Sequence, residues 1–204
     1  WRRFLPFFNC RITPEKINNL FAADARFASK KWVLGIDGKW LHRFGVIMIY
    51  RDVTNKVNLF WSWQKSESVQ NLSDDFYKLK LLVKNNPPSG VVSDWKGGLV
   101  TLVAAFFPDV PHQRCLAHVV REARRLLPAR TPYSFTWELR QIALEIMKIS
   151  NASDLYDWVN KIAQWQHNWG FILKTQTYGV GTTKQWWYTH GNLRRAIKLL
   201  PHDQ

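Results

Sequence analysis

Two aspartates in this chain have the residue type and the setting for metal-dependent chemistry. Asp37 and Asp94 each end a compact apolar run that is typical of a buried strand, and a small or flexible connection follows each of them. If the two strands are neighbours, both carboxylates lie at one edge of a sheet. Paired carboxylates suit Mg²⁺ or Mn²⁺, which prefer hard oxygen ligands and stabilise the attacking and leaving oxygens of a phosphodiester. The two residues alone leave another interpretation open, in which the acids are solvated or cap the next helix.

A second group of chemically capable residues runs from His112 to His118. Cys115 and His118 have the spacing of half a zinc site, but a structural zinc site needs four ligands and no second Cys/His pair stands nearby in the sequence. We favour a packed Cys115 and a His118 that orients other groups by hydrogen bonding. The chain has two cysteines, Cys10 and Cys115. Two are too few for a disulfide framework, and both are expected to be reduced thiols.

The elements that must position the two aspartates form an alternating series. Three predicted strands come first, and the turns between them favour an antiparallel meander over residues 31–37, 45–50 and 57–63. Helices and strands then alternate, and proline-containing breaks separate them. They are a helix over 67–84, a strand over 90–94, a helix from 97, a strand over 112–115 and a basic helix over 118–127. This order predicts a mixed α/β domain.

The sequence changes to an all-helical pattern from Phe135 onward. Two apolar stripes with helical spacing run from Phe135 to Ile149 and from Leu155 to Trp169. At the other end of the chain, Thr13-Pro14 is a typical helix start. We therefore predict a lead-in helical segment over 1–30, an α/β core over 31–130 and a helical insertion over 131–204.

The balance of charges predicts a polyanionic partner. The chain has 29 Lys and Arg against 15 Asp and Glu, a formal net charge of +14. Such an excess favours nucleic acid, because basic side chains neutralise phosphates and release counterions. A basic protein without such a partner is the alternative. No apolar run approaches the roughly 20 residues that cross a bilayer, and no signal-peptide pattern is present, so we expect a cytosolic protein without membrane contact.

Three sequence blocks in a fixed order carry a family resemblance. They are Gly35-Ile36-Asp37-Gly38, then Val92-Ser93-Asp94-Trp95-Lys96-Gly97-Gly98-Leu99, then Gln113-Arg114-Cys115-Leu116-Ala117-His118-Val119-Val120-Arg121. Together they resemble the Mutator-like superfamily of bacterial insertion-sequence transposases. A later segment, from Gln185 to Ala196, is similar to the end of the helical insertion in a subgroup of these elements.

The resemblance implies an RNase H-like fold, in which three antiparallel strands are followed by alternating helices and strands and by an all-helical insertion. It implies a DNA transposase that cleaves phosphodiesters at transposon ends and transfers the strand to target DNA. Two Mg²⁺ (or Mn²⁺) ions would be held by Asp37, Asp94 and a Glu beyond the insertion. No Thr-Asn-x-x-Glu-Gly-like segment that would carry this Glu occurs in the chain. We therefore expect that the chain is truncated before its third acid.

The same resemblance gives the other site residues supporting roles. Cys115, His118 and Arg121 are expected to be structural or to organise the site without binding the metal, with His118 near Asp94. Contacts to DNA are expected from a set of basic and aromatic side chains: Lys96, Lys184, Trp186, Trp187, Arg194 and Arg195. The alternatives for this set are solvated basic faces and packed tryptophans.

Three functions are compatible with the sequence. The first is the transposase, which would act on double-stranded DNA as a homodimer or larger assembly in a bacterial cytoplasm, associated with the nucleoid when bound. The second is an RNase H-like nuclease without strand transfer, and the helical insertion speaks against it. The third is a non-catalytic DNA-binding remnant of a transposase, which the missing third acid favours.

Overall fold

The computed structural model describes residues 31–179 and 185–200, and the chain divides into two units, Trp1–Cys115 and Leu116–Gln204. The lead-in helix predicted over 1–30 and the predicted DNA contact Lys184 lie outside the described residues. Each unit is described by itself.

A five-stranded mixed sheet forms the centre of the first unit. Its strands are β1 (Val33–Trp40), β2 (Val46–Asp52), β3 (Val57–Gln64), β4 (Gly90–Ser93) and β5 (His112–Arg114). They lie in the order β3-β2-β1-β4-β5. β1 and β2 are antiparallel, as are β2 and β3, whereas β1 and β4 are parallel, as are β4 and β5. The predicted antiparallel meander and the mixed α/β class are therefore confirmed.

Two helices of the first unit, α1 (Val69–Leu82) and α2 (Gly97–Phe106), follow β3 and β4 in the chain. Ser68 caps α1, because its hydroxyl accepts a hydrogen bond from the Asn71 N–H and so satisfies one of the donors at the helix start. α2 ends shortly before Pro108, which cannot continue a helix. Both helices begin and end close to where the sequence places them.

One face of the sheet and the two helices enclose the core of the first unit. The rings of Tyr50 on β2 and Phe76 on α1 meet edge to face, with their centroids 6.1 Å apart. Burial of each large apolar side chain contributes roughly 1.5–3 kcal/mol relative to exposure. Further buried members from the strands and from both helices are Leu34, Ile36, Met48, Leu59, Leu72, Leu79, Val91, Leu99 and Val103.

A buried polar network ties α1 to strands β2 and β3. The Asp75 carboxylate accepts hydrogen bonds from the Tyr50 hydroxyl (3.0 Å), from the Gln64 amide (3.0 Å) and from the Ser62 hydroxyl. Burial raises the pKa of Tyr50, and the neighbouring carboxylate of Asp75 raises it further. The network therefore keeps Tyr50 neutral and fixes the helix against the sheet.

The second unit contains helices and one short hairpin. The helices are α3 (Leu116–Leu126), α4 (Ser134–Glu145), α5 (Ala152–Trp169) and α6 (Gly191–Ile197), and the hairpin pairs β6 (Gln176–Tyr178) antiparallel with β7 (Trp186–Tyr188). The prediction of an all-helical segment from residue 135 onward is wrong at this hairpin. Consecutive aromatic residues in β7 favour a strand over a helix, and pairing with β6 settles that preference. Three 3₁₀ helices complete the described elements: His42–Phe44, Ile146–Lys148 and Gly170–Lys174.

Tryptophans anchor the core of the second unit. Trp158 and Trp165 of α5 are both 2% exposed. The Trp158 indole donates to the carbonyl of Ile142 (2.7 Å), and the Trp165 indole donates to the carbonyl of Phe135 (2.9 Å). Because both buried N–H groups have acceptors on or beside α4, they fix α5 against that helix. Among the described residues, no helix has the length and apolar character that a membrane span requires.

Candidate active site

The register of β1 and β4 brings the two aspartates together. The last partners of this parallel pair are Ile36 and Ser93, and the next residue on each segment is Asp37 or Asp94. β4 ends at Ser93, one residue before the predicted end at Asp94, but β1 continues to Trp40, so the prediction that Asp37 ends its strand is wrong. β1 is longer because its other edge remains paired with β2 as far as Trp40. Asp37 is therefore held by antiparallel pairing on a rigid strand.

The chain reverses direction immediately after Asp94. Trp95 has a φ of 67°, in the left-handed region that is uncommon for a residue with a side chain. Its N–H donates to the Ser93 hydroxyl (3.2 Å), and the Lys96 N–H donates to Asp94 Oδ1 (3.3 Å). This turn brings the Lys96 ammonium back to 3.4 Å from Asp94 Oδ2.

A third acid at this edge, Glu67, is one that the sequence analysis did not identify. Its side chain is 4% exposed. Its Oε2 accepts hydrogen bonds from the indole of Trp40 (2.7 Å) and from the ammonium of Lys96. Among the residues that the structure describes, Glu67 Oε1 has no hydrogen-bond partner. In the sequence, Glu67 resembles an ordinary acid near a helix start, and only tertiary packing places it beside the aspartates.

Two glycines allow Glu67 to approach both aspartate-bearing segments. A Cβ atom on Gly38, the residue after Asp37, would collide with Glu67 Oε1, and a Cβ atom on Gly98 would collide with the Glu67 carbonyl. Gly98 therefore requires the absence of a side chain, because the clash there is with backbone, whereas a side chain at Gly38 would have to displace the Glu67 carboxylate. Glu67 is consequently packed against the segments that carry Asp37 and Asp94.

The Lys96 ammonium balances these negative charges. Burial opposes its charged form, but the hydrogen bond to Glu67 and the charges of Glu67 and Asp94 outweigh burial and raise the pKa of Lys96. The ammonium also lies 5.6 Å from the centre of the Trp40 ring. Lys96, predicted as a DNA contact, is thus engaged with carboxylates of the site.

His112 on β5 supports the end of β4. Its Nε2 lies 2.8 Å from the Ser93 hydroxyl, and its ring packs on Trp95 with centroids 4.6 Å apart. Burial lowers the pKa of His112, so the ring is held in its neutral form. The backbone N–H of Cys115 donates to the Ser93 carbonyl (2.6 Å), and Cys115 is a free, half-buried thiol. Both residues help to fix the strand that precedes Asp94.

Two side chains at this edge have the chemistry of ligands for a hard divalent cation. Asp37 and Asp94 offer the carboxylate oxygens that Mg²⁺ and Mn²⁺ prefer. Within residues 31–179 and 185–200, no group of three or more His, Cys, Asp or Glu side chains could hold a metal ion. A set of three acids around one cation would need a residue from outside those ranges, as the family resemblance implies for its Glu.

The remaining predicted site residues lie in the second unit. His118 is half-buried in the first turn of α3, and Arg121 is exposed on the same helix. The acids of this unit have partners of their own. Glu122 pairs with Arg125, Glu138 accepts from Trp169, and Glu145 pairs with Lys161.

The hairpin and α6 carry the predicted DNA contacts of this unit. Trp186 and Trp187 are 42% and 38% exposed, so they are not core residues. Arg194 is half-buried; its guanidinium stacks on Tyr188 at 3.5 Å from the ring centre and donates to the carbonyl of Leu173. Arg195 is exposed, and its contact with Glu122 is long, at 3.9 Å.

The fold and the site define an α/β protein with an acidic cluster beside the parallel strand pair of its sheet. Residues 89–184 match the sequence model of the Mutator family of transposases. The match includes Asp94 and the motif from Gln113 to Arg121, and it confirms the predicted resemblance to this family. Asp37 lies outside the matched residues, so its place in the site depends on the strand register. No curated protein matches the chain.

Proposed function

We propose that this chain is the catalytic region of a DNA transposase that cleaves phosphodiesters at transposon ends and transfers the strand to target DNA. Asp37 and Asp94 would be ligands of Mg²⁺ or Mn²⁺. The observation that carries the proposal is the register of β1 and β4, in which an aspartate follows each of the last paired residues. The match to the Mutator family supports the transposase role.

The order of elements supports an RNase H-like assignment for the first unit. A three-stranded antiparallel meander is followed by α1, β4, α2 and β5, with β1 central and parallel to β4. This is the order that the family resemblance implies. The helices α4, α5 and α6, with the hairpin of β6 and β7, would then be the insertion predicted from residue 131.

Some residues at the sheet edge would bind the cation, and others would hold the strands that carry them. Asp37 and Asp94 would hold the cation through their carboxylates. A bound divalent cation supplies Lewis-acid stabilisation for the charge that develops on phosphate oxygens. Ser93 and His112 hold the end of β4, and rigid placement of ligands on strands lowers the cost of orienting the reacting groups.

Double-stranded DNA is the proposed partner, and the net charge of +14 supports it. Arg195 would contact phosphates, while Trp186 and Trp187 would stack on an unpaired base at the transposon end, because all three side chains are exposed. A homodimer or larger assembly on paired ends, in a bacterial cytoplasm, belongs to the same proposal.

Cleavage of DNA by the full-length protein tests the proposal. The substrate is DNA from the ends of the element that encodes the protein, with Mg²⁺ present. Asp37→Asn and Asp94→Asn should each lower the cleavage rate about a hundredfold or more, because loss of a cation ligand removes several kcal/mol of transition-state stabilisation. DNA affinity should change little in either variant. Asp109→Asn, at an exposed aspartate of the same unit, is the matched control and should cleave normally.

The outcomes separate the competing functions. Unchanged cleavage in Asp37→Asn or Asp94→Asn would overturn the site assignment. DNA binding without cleavage by the unaltered protein would favour the non-catalytic remnant. Cleavage without joining to a target DNA would favour the nuclease.

A further inference from the structure

The ammonium of Lys96 lies between two carboxylates of the candidate site. It donates a hydrogen bond to Glu67 Oε2 and lies 3.4 Å from Asp94 Oδ2. The turn at Trp95, with its positive φ, directs the lysine back toward Asp94 rather than away from the site. A single positive charge thus occupies a position that two negative groups share.

Burial makes this positive charge necessary to the metal-free protein. The side chain of Glu67 is 4% exposed and that of Asp94 is 9% exposed, whereas that of Lys96 is 43% exposed. A buried carboxylate without a counter-charge is strongly disfavoured. Among the described residues, Glu67 Oε1 has no hydrogen-bond partner, so the Trp40 indole and the Lys96 ammonium on Oε2 carry the compensation.

We propose that Lys96 is an internal cation that holds Asp94 and Glu67 in the absence of a divalent ion and competes with that ion for Asp94. Glu67 is the positioning residue that keeps Lys96 in place. The inference rests on the proposed function, since it requires cation binding at Asp94. Displacement from Asp94 would leave the Lys96 ammonium with Glu67 as its remaining anionic partner.

Because Lys96 and the divalent cation compete for Asp94, the direction in which each mutation changes the cation affinity can be stated. Removal of the Lys96 charge leaves Glu67 and Asp94 uncompensated, so the affinity for a divalent cation rises. Removal of the Glu67 charge lowers the affinity for the divalent cation. Asp94 is then the one remaining carboxylate of the two, and Lys96 pairs with it more strongly. A residue with a purely structural role would lower cation affinity or leave it unchanged when replaced.

Calorimetric titration of Mn²⁺ into the full-length protein without DNA tests the inference. Lys96→Met should bind Mn²⁺ roughly tenfold more tightly than the unaltered protein, the lower end of what an adjacent charge does to an ionic equilibrium. Glu67→Gln should bind it more weakly. The double variant restores the original net charge, and its affinity should return close to that of the unaltered protein.

Two controls make the result specific. Lys39→Met removes the same charge from an exposed position on β1, two residues from Asp37, and should change Mn²⁺ affinity less than about twofold because solvent and salt screen exposed charges. Thermal unfolding of each variant checks that the fold is retained. If Lys96→Met does not fold, Lys96→Gln removes the same charge and should show the same tighter binding of Mn²⁺.

The possible failures are distinct. Asp94→Asn should abolish Mn²⁺ binding; if it does not, the metal assignment of the proposed function falls and this inference falls with it. If Mn²⁺ binding depends on Asp94 but Lys96→Met binds no more tightly and Glu67→Gln no more weakly, the proposed function stands and the inference is overturned.

Discussion

Ile36 of β1 and Ser93 of β4 are the last partners of a parallel strand pair, and an aspartate follows each of them. Neighbouring strands lie about 4.8 Å apart, so the two aspartates stand one residue past the last partners of adjacent segments. The Lys96 ammonium lies 3.4 Å from Asp94 Oδ2. The geometry of the site is therefore set by the sheet and by the contacts that hold β1 and β4 in place.

The first prediction concerns the network that fixes α1 to the sheet. Asp75→Ala should lower the free energy of unfolding by about 3 kcal/mol, because Tyr50, Ser62 and Gln64 all lose an acceptor in a buried region. Urea denaturation gives the measurement. Asp74→Ala, at the exposed neighbouring position, should stay within about 0.5 kcal/mol of the unaltered protein. Equal losses in both variants would contradict the role of the network.

The second prediction concerns the close approach at Gly38. Gly38→Ala should destabilise the protein by about 1–3 kcal/mol and weaken Mn²⁺ binding, since the new Cβ would collide with Glu67 and lie 3.1 Å from Met48 Sδ. Thermal unfolding and calorimetry measure the two effects. Gly97→Ala is the control, because no described heavy atom lies within 4 Å of a Cβ there. A Gly38→Ala protein as stable as the control would rule out the packing of Glu67 against β1.

The third prediction is a dependence of stability on pH. Burial lowers the pKa of His112 in the folded protein from its ordinary value of 6.5. A depressed folded-state pKa means that the unfolded chain takes up the proton first, so the stability from neutral His112 is present above about pH 6.5 and lost as pH falls below it. His112→Gln should therefore show a shallower fall in unfolding temperature between roughly pH 7 and pH 5. His167→Gln, at an exposed histidine, should keep the original dependence; the same dependence in His112→Gln would refute the assignment.

The fourth prediction concerns the DNA contact of the second unit. Arg195→Gln should weaken DNA binding and reduce the slope of log affinity against log salt by about 0.9 for a lost phosphate contact. Fluorescence anisotropy at several salt concentrations measures both. Arg125→Gln is the matched control, because the Arg125 guanidinium is engaged with Glu122 by hydrogen bonds of 2.8 and 2.5 Å. If the slope of log affinity against log salt falls equally in both variants, the surface binds DNA through its general charge and Arg195 makes no specific contact.

Much of the first unit follows from local sequence patterns. Apolar runs in the sequence predict strands β1 to β4, and the helical spacing of Leu72, Phe76 and Leu79 predicts α1. These predictions succeed because the apolar residues of each pattern are the ones that the structure buries. Val69, the first residue of α1, is 40% exposed although its helical spacing from Leu72 and Phe76 predicts burial. The position of Asp94 at the end of a strand follows from sequence to within one residue.

The parts of the fold that depend on residues far apart in the sequence cannot be predicted from local patterns. β1 continues beyond Asp37 because β2 pairs with it there, and no local pattern encodes the partner. Glu67 joins the site through a close approach to Gly38 and Gly98, which are separated from it in the sequence. The exposed aromatic residues of β7 form a strand only because β6 lies beside them. Local propensity is weak in such places, and tertiary contact decides.

The pairing of β4 with β1 also affects how the chain folds while it is being synthesised. The β1–β3 meander can form as soon as residue 64 has been synthesised, but the partner on the open side of β1 comes only with Gly90–Ser93. Until then β1 is an edge strand with unpaired backbone groups, the kind of surface that recruits strands from other chains. Docking of β4 therefore does two things in one step: it brings Asp94 to the strand that carries Asp37, and it covers the unpaired backbone groups on the open side of β1.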